Sequence, residues 1–250
     1  MSLPASFLTR PITHRGLHDL AAGRAENSLK SFEASIGADY GIEMDLQLSR
    51  DGVAMVFHDY ELSRLTAETG PVALRTAAEL RQIPLSSDGG TIPTLSDVLR
   101  LVDGKVPLLI EIKDQDGIMG SNVGELEQAT AQALEGYSGQ VALMSFNPHS
   151  VAEFVKLLPS VPRGLVTSAY SAVDWPTIPT KRRDELRLIG DYERVGACFI
   201  SHEAADLDRE RVADLKREGA KVLCWTIRSK TEEDHARRIV DNVTFEGYLA

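Results

Sequence analysis

The 250-residue sequence has few cysteines, no excess of basic residues and no long apolar run. Its two cysteines, Cys198 and Cys224, lie in apolar, strand-like segments and lack the spacing of a zinc site. We interpret both as buried thiols that pack as small hydrophobic side chains. Nothing in this cysteine usage indicates an oxidising compartment.

The charge balance and the N-terminus argue against two further classes. The 37 acidic and 27 basic residues give a net charge of −10, whereas general nucleic-acid binding needs a basic surface. The first residues lack the apolar core of a signal peptide, and no run approaches the roughly 20 apolar residues that cross a bilayer. We therefore expect a soluble, cytoplasmic protein without stable membrane association. The oligomeric state stays open, a homo-oligomer included.

Short β-rich segments alternate with helical ones along the whole chain. Eight strands followed by helices predict an α/β fold of the TIM (β/α)8 barrel type, as one domain over residues 1–250. A doubly wound open sheet is the alternative, but no glycine-rich turn follows the first strand. Residues 60–92 interrupt the rhythm and predict a small insertion after the third strand. The eight strands are predicted at residues 11–14, 41–48, 53–58, 106–112, 141–145, 164–167, 197–201 and 222–226, with a further short extended segment at 243–249.

Three carboxylates interrupt apolar strands near the predicted C-terminal ends, where a TIM barrel carries its active site. Glu43 and Asp45 are two residues apart and so point to the same face of the second strand. Glu111 lies near the end of the fourth strand. Three carboxylates close together repel one another unless a cation is present, and an all-oxygen set favours Mg²⁺ or Ca²⁺. The alternative is that each carboxylate pairs with a lysine or arginine.

Two histidines and two cations accompany these carboxylates. His14 ends the first predicted strand and His58 ends the third, so the two imidazoles could flank one phosphorus as acid and base. Arg15 and Lys113 are candidate phosphate ligands, although they could also simply balance the acids. The other histidines lack such neighbours and are interpreted as surface or helix-end residues, with one close enough to border the pocket: His149, His202, His235 and, near the pocket, His18.

The same residues occur in a recognisable order of short motifs. In chain order these are His14-Arg15-Gly16, Glu26-Asn27-Ser28, Glu43-Met44-Asp45, Asp51-Gly52, His58-Asp59, Leu62-Ser63-Arg64-Leu65-Thr66, Thr91-Ile92-Pro93-Thr94-Leu95, Glu111-Ile112-Lys113 and Trp225-Thr226. Each motif is weak alone, but the ordered set resembles the signature of the glycerophosphodiester phosphodiesterase family over nearly the whole chain.

The resemblance implies a TIM barrel that hydrolyses glycerophosphodiesters to an alcohol and sn-glycerol 3-phosphate. It implies a Mg²⁺ or Ca²⁺ ion on Glu43, Asp45 and Glu111, with His14 and His58 as the catalytic acid and base. It places Arg15 and Lys113 on the phosphate. Phe146 and Trp225 are candidates for an apolar wall against the substrate, or else part of the core. Which histidine is the base, and whether water or a glycerol hydroxyl attacks, is left open.

Two departures from the family pattern are visible. Ala25 stands where the family usually has proline, which affects a turn more than the chemistry. Glu246-Gly247 stands where an Asp-Gly pair is typical, and the chain ends three residues later. We expect this second departure to affect the last loop but not the catalytic residues. The rivals are a phospholipase on the same scaffold and a non-catalytic phosphodiester-binding protein.

Overall fold

Nine strands are present in the part of the chain that the computed structural model describes, residues 1–86 and 90–250. All except β3 run parallel to their neighbours. The strands are β1 (Ile12–Thr13), β2 (Gly41–Leu48), β3 (Ala54–Val56), β4 (Leu108–Ile112), β5 (Val141–Ser145), β6 (Arg163–Thr167), β7 (Phe199–Glu203), β8 (Lys221–Ile227) and β9 (Asn242–Phe245).

The parallel strands close into a barrel of eight, which confirms the predicted TIM fold. The ring runs β1–β2–β4–β5–β6–β7–β8–β9 and closes where β9 pairs with β1. The prediction was wrong about which eight strands form it. β3 pairs antiparallel with β2 and lies outside the ring, whereas the tail segment β9 is the eighth barrel strand.

The short connection between β2 and β3 explains why β3 is not a barrel strand. Only the turn around Arg50-Asp51-Gly52 joins β2 to β3, and two parallel neighbours need a crossover of a dozen or more residues. β3 must therefore fold back as a hairpin. Because β3 runs back from the C-terminal end of β2 toward Asp45, the backbone N–H of Phe57 donates to the carbonyl of Asp45 at 3.0 Å. The hairpin thus brings the residue after Phe57 to the mouth of the barrel.

The helices between the barrel strands cover the outside of the barrel. The helix that begins at Thr180 ends at Arg187, because Ile189 adopts the left-handed φ of 48° just beyond it. The helices are α1 (Ser6–Thr9), α2 (Leu29–Gly37), α3 (Ala77–Leu80), α4 (Leu95–Val102), α5 (Glu125–Ala133), α6 (Pro148–Leu157), α7 (Thr180–Arg187), α8 (Glu210–Arg217) and α9 (Lys230–Ala236). None of these described helices has the length and apolar character needed to span a bilayer.

The segment after β3 forms a small layer on the side of the barrel. Within residues 60–86 and 90–92 it contains α3, and its apolar side chains pack together on Met55 and Phe57 of the hairpin. Thr76 caps α3 by accepting from the N–H of Glu79, whose carboxylate accepts from the Thr76 N–H in return. The predicted insertion also included residues 87–89, which lie outside the described residues.

Candidate active site

The three predicted carboxylates meet at the C-terminal mouth of the barrel. Glu43 and Asp45 lie on β2, and the parallel register places Asp45 directly opposite Glu111 on β4. All three side chains are buried, and one oxygen of each lies within 4.8 Å of the others. This spacing brings three hard oxygen donors to one point.

Basic side chains compensate part of this negative charge. Lys113 Nζ lies 2.9 Å from Asp45 Oδ1 and 2.8 Å from Glu111 Oε1, and Arg15 Nε lies 3.4 Å from Asp45 Oδ2. Glu43 accepts only from the backbone N–H of Arg15, at 2.9 Å. Within the described ranges no Lys or Arg side chain forms an ion pair with Glu43. The pairing that the sequence left as an alternative is therefore present for two of the three carboxylates.

The electrostatics of the cluster fit a divalent cation. Burial, together with the charges of Asp45 and Glu111, raises the pKa of Glu43 well above its usual value. Burial also opposes the ionisation of Asp45, but the charges of Lys113, His58 and Arg15 hold its pKa well below the usual range. The donor set is all carboxylate oxygen, and within the described residues its ion pairs with Arg15 and Lys113 involve Asp45 and Glu111 but not Glu43. Mg²⁺ or Ca²⁺ suits such a set.

His14 follows β1 and is paired with the carboxylate of Glu246, the residue after β9. Its Nδ1 lies 2.6 Å from Glu246 Oε2, so Nδ1 carries the proton and Nε2 is left for other partners. Burial lowers the pKa of His14 from 6.5 to about 4, against the opposing effect of Glu246. His14 is therefore neutral at neutral pH in the free protein. His18 Nε2 lies 3.5 Å from the same carboxylate, so this histidine does border the site.

His58 is arranged in the same way from the opposite side of the mouth. Its Nδ1 lies 2.6 Å from Asp59 Oδ1, which again leaves Nε2 without a carboxylate partner. Burial opposes ionisation of Asp59, but hydrogen bonds from His58 and Arg64 hold the pKa of this carboxyl below its usual range. Each of the two predicted histidines thus has its own carboxylate to fix the ring.

Arg64, from the segment after β3, links Asp59, which pairs with His58, to Glu26, which pairs with Arg15. Its Nε donates to Asp59 Oδ2 at 2.5 Å, and its two terminal nitrogens donate to both oxygens of Glu26 at 2.9 and 2.7 Å. Glu26 also accepts from Arg15 at 2.7 Å. A continuous chain of charge-assisted hydrogen bonds therefore runs from His58 to Arg15.

The loop after β1 needs special backbone conformations to hold these groups. Arg15 adopts φ 56° and Gly16 adopts φ 79°. A Cβ at Gly16 would overlap the Ser31 hydroxyl and the Phe32 ring, which explains the glycine of the His-Arg-Gly motif. Asn27 forms two hydrogen bonds with Asp45: its Nδ2 donates to Asp45 Oδ2 at 2.9 Å, and its Oδ1 accepts from the Asp45 N–H at 3.3 Å.

Two connected spaces open above these residues. The first, here called the inner pocket, has a volume of about 60 Å³ and is lined by His14, Arg15, the carboxylates, His58 and Lys113. Ser201 and Thr244 line its far side, and both hydroxyls are buried without a hydrogen-bond partner among the described residues. Unpartnered hydroxyls facing a polar pocket are available to bind a ligand.

The second space, here called the outer cleft, has a volume of about 520 Å³ and opens to solvent. It shares His58, Glu111, Lys113, Phe146 and Trp225 with the inner pocket, so the two spaces adjoin. Phe146 follows β5 and Trp225 lies on β8, and their rings meet at 5.5 Å between centroids. Both predicted aromatic residues are therefore half-buried at the boundary between the two spaces.

Two sequence-based expectations were wrong. His202 is fully buried on β7 and bonds Thr167 Oγ1 at 2.8 Å, so it is not a surface or helix-end residue. Glu246 was expected to lie away from the catalytic residues, but it contacts His14. The residues that the sequence did not assign a role are Glu26, Asn27, Asp59, Arg64, Trp175 and Glu246. Most lie inside the quoted motifs, and Glu246 is an acid at a position where an acid is typical.

Comparisons with known proteins agree with this barrel fold. Residues 14–244 match the model of the Glycerophosphoryl diester phosphodiesterase family. A glycerophosphodiester phosphodiesterase of Caldanaerobacter subterraneus subsp. tengcongensis is 28% identical over 241 residues, which cover 92% of this chain and 90% of that protein. One from Bacillus altitudinis is 32% identical over 170 residues, covering 64% and 67% respectively.

Solved structures show the same architecture. An Oleispira antarctica phosphodiesterase, solved in complex with the product sn-glycerol-3-phosphate, superposes with a TM-score of 0.77 at 26% identity, covering 96% of this chain and 94% of that one. Barrel, site and comparisons together define a phosphoric diester hydrolase. The chain belongs to the glycerophosphoryl diester phosphodiesterase family.

Proposed function

We propose that this enzyme hydrolyses glycerophosphodiesters to an alcohol and sn-glycerol 3-phosphate, with a divalent metal and with His14 and His58 as acid and base. One observation carries the proposal most strongly. Two carboxylate-paired histidines and a three-carboxylate cluster line one small inner pocket, which is the set that cleavage of a phosphodiester requires. The Oleispira relative, whose structure contains sn-glycerol-3-phosphate, supports this substrate class.

The metal would be held by Glu43, Asp45 and Glu111. When bound there, Mg²⁺ or Ca²⁺ supplies positive charge against the negative charge that a phosphoryl group develops during cleavage. Arg15 and Lys113 border the same pocket and provide further positive charge for the phosphate. Both are already fixed by carboxylates, so their orientation does not depend on the substrate.

The two histidines perform the proton transfers. One takes the proton from the attacking oxygen, and the other protonates the departing alcohol, so that water adds across one P–O bond in the overall reaction. Glu246 and Asp59 accept from the protonated Nδ1 of the two rings, which leaves each Nε2 for proton transfer in the pocket that both histidines line. The attacking oxygen belongs either to water or to a glycerol hydroxyl. The free hydroxyls of Ser201 and Thr244 are suited to bonding the glycerol of the substrate.

Product analysis tests this assignment. Purified protein with Mg²⁺ or Ca²⁺ is incubated with glycerophosphocholine, and ³¹P NMR follows the phosphorus-containing product. We expect sn-glycerol 3-phosphate and free choline. Formation of phosphocholine and glycerol would contradict the assignment, and so would binding of the diester without turnover, which is the result expected of a non-catalytic binding protein.

A phospholipase activity is the second candidate. Ile118 and Val173, on loops after β4 and β6, are 47% and 87% exposed, and apolar side chains near the mouth are what a lipid-facing enzyme needs. The same assay with vesicles of phosphatidylcholine separates the two functions. We expect no release of head group from vesicles, and preferential cleavage of vesicle lipid would favour the phospholipase.

A further inference from the structure

The outer cleft is placed to hold one substituent of a bound phosphodiester. Its floor is shared with the inner pocket through Glu111 and Lys113, and His58 borders both spaces. A phosphorus in the inner pocket would therefore have one ester oxygen toward the outer cleft. The volumes differ about ninefold, so the larger space suits the variable alcohol and the smaller one the phosphate with its glycerol.

Three aromatic rings form one wall of the outer cleft. Trp175, from the loop after β6, lies 4.8 Å from Phe146 at 57°, and Trp225 lies 5.5 Å from Phe146 at 83°. The steep angles turn ring faces in different directions, which makes a concave corner. Both indole N–H groups are already used, since Trp175 donates to Ser168 Oγ and Trp225 to the Ser201 carbonyl. The wall therefore offers ring faces and no free donor to a polar alcohol.

The charges around the outer cleft favour a cation. Lys113, at the edge shared with the inner pocket, is paired with Asp45 and Glu111, and Arg64 is paired with Asp59 and Glu26, so carboxylates already balance both cations of the cleft. Glu61 also lines the cleft and is exposed. It forms no ion pair within residues 1–86 and 90–250, and its carboxylate remains uncompensated.

We propose that the outer cleft binds the leaving alcohol and selects an alcohol that carries a quaternary ammonium group. Aromatic faces attract such cations, whose methyl groups pack on the rings without needing hydrogen bonds. The carboxylate of Glu61 adds a favourable charge at the rim. This inference rests on the proposed function, because it assigns the second half of the same substrate site.

Two substrates that differ only in the alcohol test the selection. The ratio of kcat/KM for glycerophosphocholine to that for glycerophosphoglycerol, whose leaving alcohol is neutral, is measured with the metal-loaded enzyme. We expect a ratio of about ten or more, of the order that a cation on aromatic faces provides. Equal turnover of both diesters would overturn the selection while leaving the proposed function intact. Turnover of neither would instead contradict the proposed function.

Two variants then locate the selection. Trp175→Leu should lower kcat/KM for the choline diester about tenfold and that for the neutral diester by less than about threefold. Glu61→Gln should lower the same ratio by about twofold to fivefold through loss of its charge. Glu135→Gln, an exposed acid after α5, is the matched control and should leave the ratio unchanged.

A binding measurement completes the test without relying on the variants' turnover. Tetramethylammonium chloride at millimolar concentration should inhibit the wild-type enzyme competitively, whereas sodium chloride at the same concentration should not. It should inhibit Trp175→Leu and Glu61→Gln more weakly than wild type. If Trp175→Leu does not fold, as judged by circular dichroism, Glu61→Gln carries the test. Absence of inhibition in wild type would overturn the inference. A substrate ratio and an inhibition that are both unchanged in every folded variant would overturn it as well.

Discussion

The inner pocket and the outer cleft are built from different parts of the fold. Groups at the ends of β1, β2 and β4, with the hairpin residue His58, supply the charges of the inner pocket. Its three carboxylates are buried, and its histidines and basic side chains are half-buried and paired with carboxylates. The outer cleft is lined mainly by loop residues such as Tyr60, Met119 and Trp175. The barrel thus fixes the chemistry, whereas the loops decide which alcohol fits.

Removal of the metal should have the largest effect, because it acts on the inner pocket for every substrate. EDTA should reduce turnover of the choline and the neutral diester alike to background, and added Mg²⁺ or Ca²⁺ should restore both. Glu111→Gln should reproduce the loss by removing one oxygen charge from the cluster. Calorimetric titration with the metal checks binding separately. Full activity in chelator would remove the metal from the account.

Substitution of either histidine should have the next largest effect on turnover. His14→Ala and His58→Ala should each lower kcat roughly 10²-fold or more for both diesters, since each removes a proton-transfer group. The exposed His235→Ala is the control and should retain wild-type rates. Circular dichroism establishes that the variants are folded. Wild-type-like turnover in His14→Ala or His58→Ala would contradict the acid–base assignment.

Substitution of Glu246 or Asp59, the carboxylates that pair with the histidines, should lower turnover less. Glu246→Gln and Asp59→Asn keep the shape but remove the charge that orients each Nδ1–H, and we expect losses of roughly tenfold in kcat with little change in KM. Substrate discrimination should not change in Glu246→Gln, because Glu246 does not line the outer cleft. A changed preference for the choline diester in Glu246→Gln would contradict the proposal that the outer cleft alone selects the alcohol.

The buried position of His14 should also appear in stability. Its folded-state pKa of about 4 lies below the unfolded value of 6.5, so the unfolded chain binds the proton first as pH falls. The contribution of the neutral, buried His14 ring to the free energy of unfolding is complete above about pH 6.5 and is lost progressively toward pH 4. Metal-free wild type should lose about 2–3 kcal/mol more than His14→Asn between pH 7.5 and 4.5 in urea unfolding. Parallel pH profiles would contradict the burial of this ring.

Local patterns in the sequence predicted which charged residues meet at the mouth of the barrel. Glu43 and Asp45 share a face because strand residues alternate, and their position near a strand end puts them at the mouth. His58 was placed at the mouth for a partly wrong reason, since β3 is a hairpin strand and not a barrel strand. The outcome is the same because β3 runs back beside β2 only as far as Asp45, so that His58 still lies at the mouth.

Long-range pairing was not accessible from local patterns. The contact between Glu246 and His14 joins residues 232 positions apart and depends on β9 closing the ring. The bonds from Arg64 to Glu26, and the place of Trp175 on Phe146, depend equally on how separate loops meet. Such contacts follow from barrel closure and loop conformation, which periodicity and motif spacing do not encode.

A crystal structure of the protein soaked with sn-glycerol 3-phosphate and Ca²⁺ or Mn²⁺ would test the central claim most directly, because anomalous scattering locates the ion. We expect the ion about 2.0–2.6 Å from oxygens of Glu43, Asp45 and Glu111. We expect the phosphorus between His14 and His58, with the open ester position toward the outer cleft. An ion elsewhere, or a phosphate bound outside the inner pocket, would contradict the account.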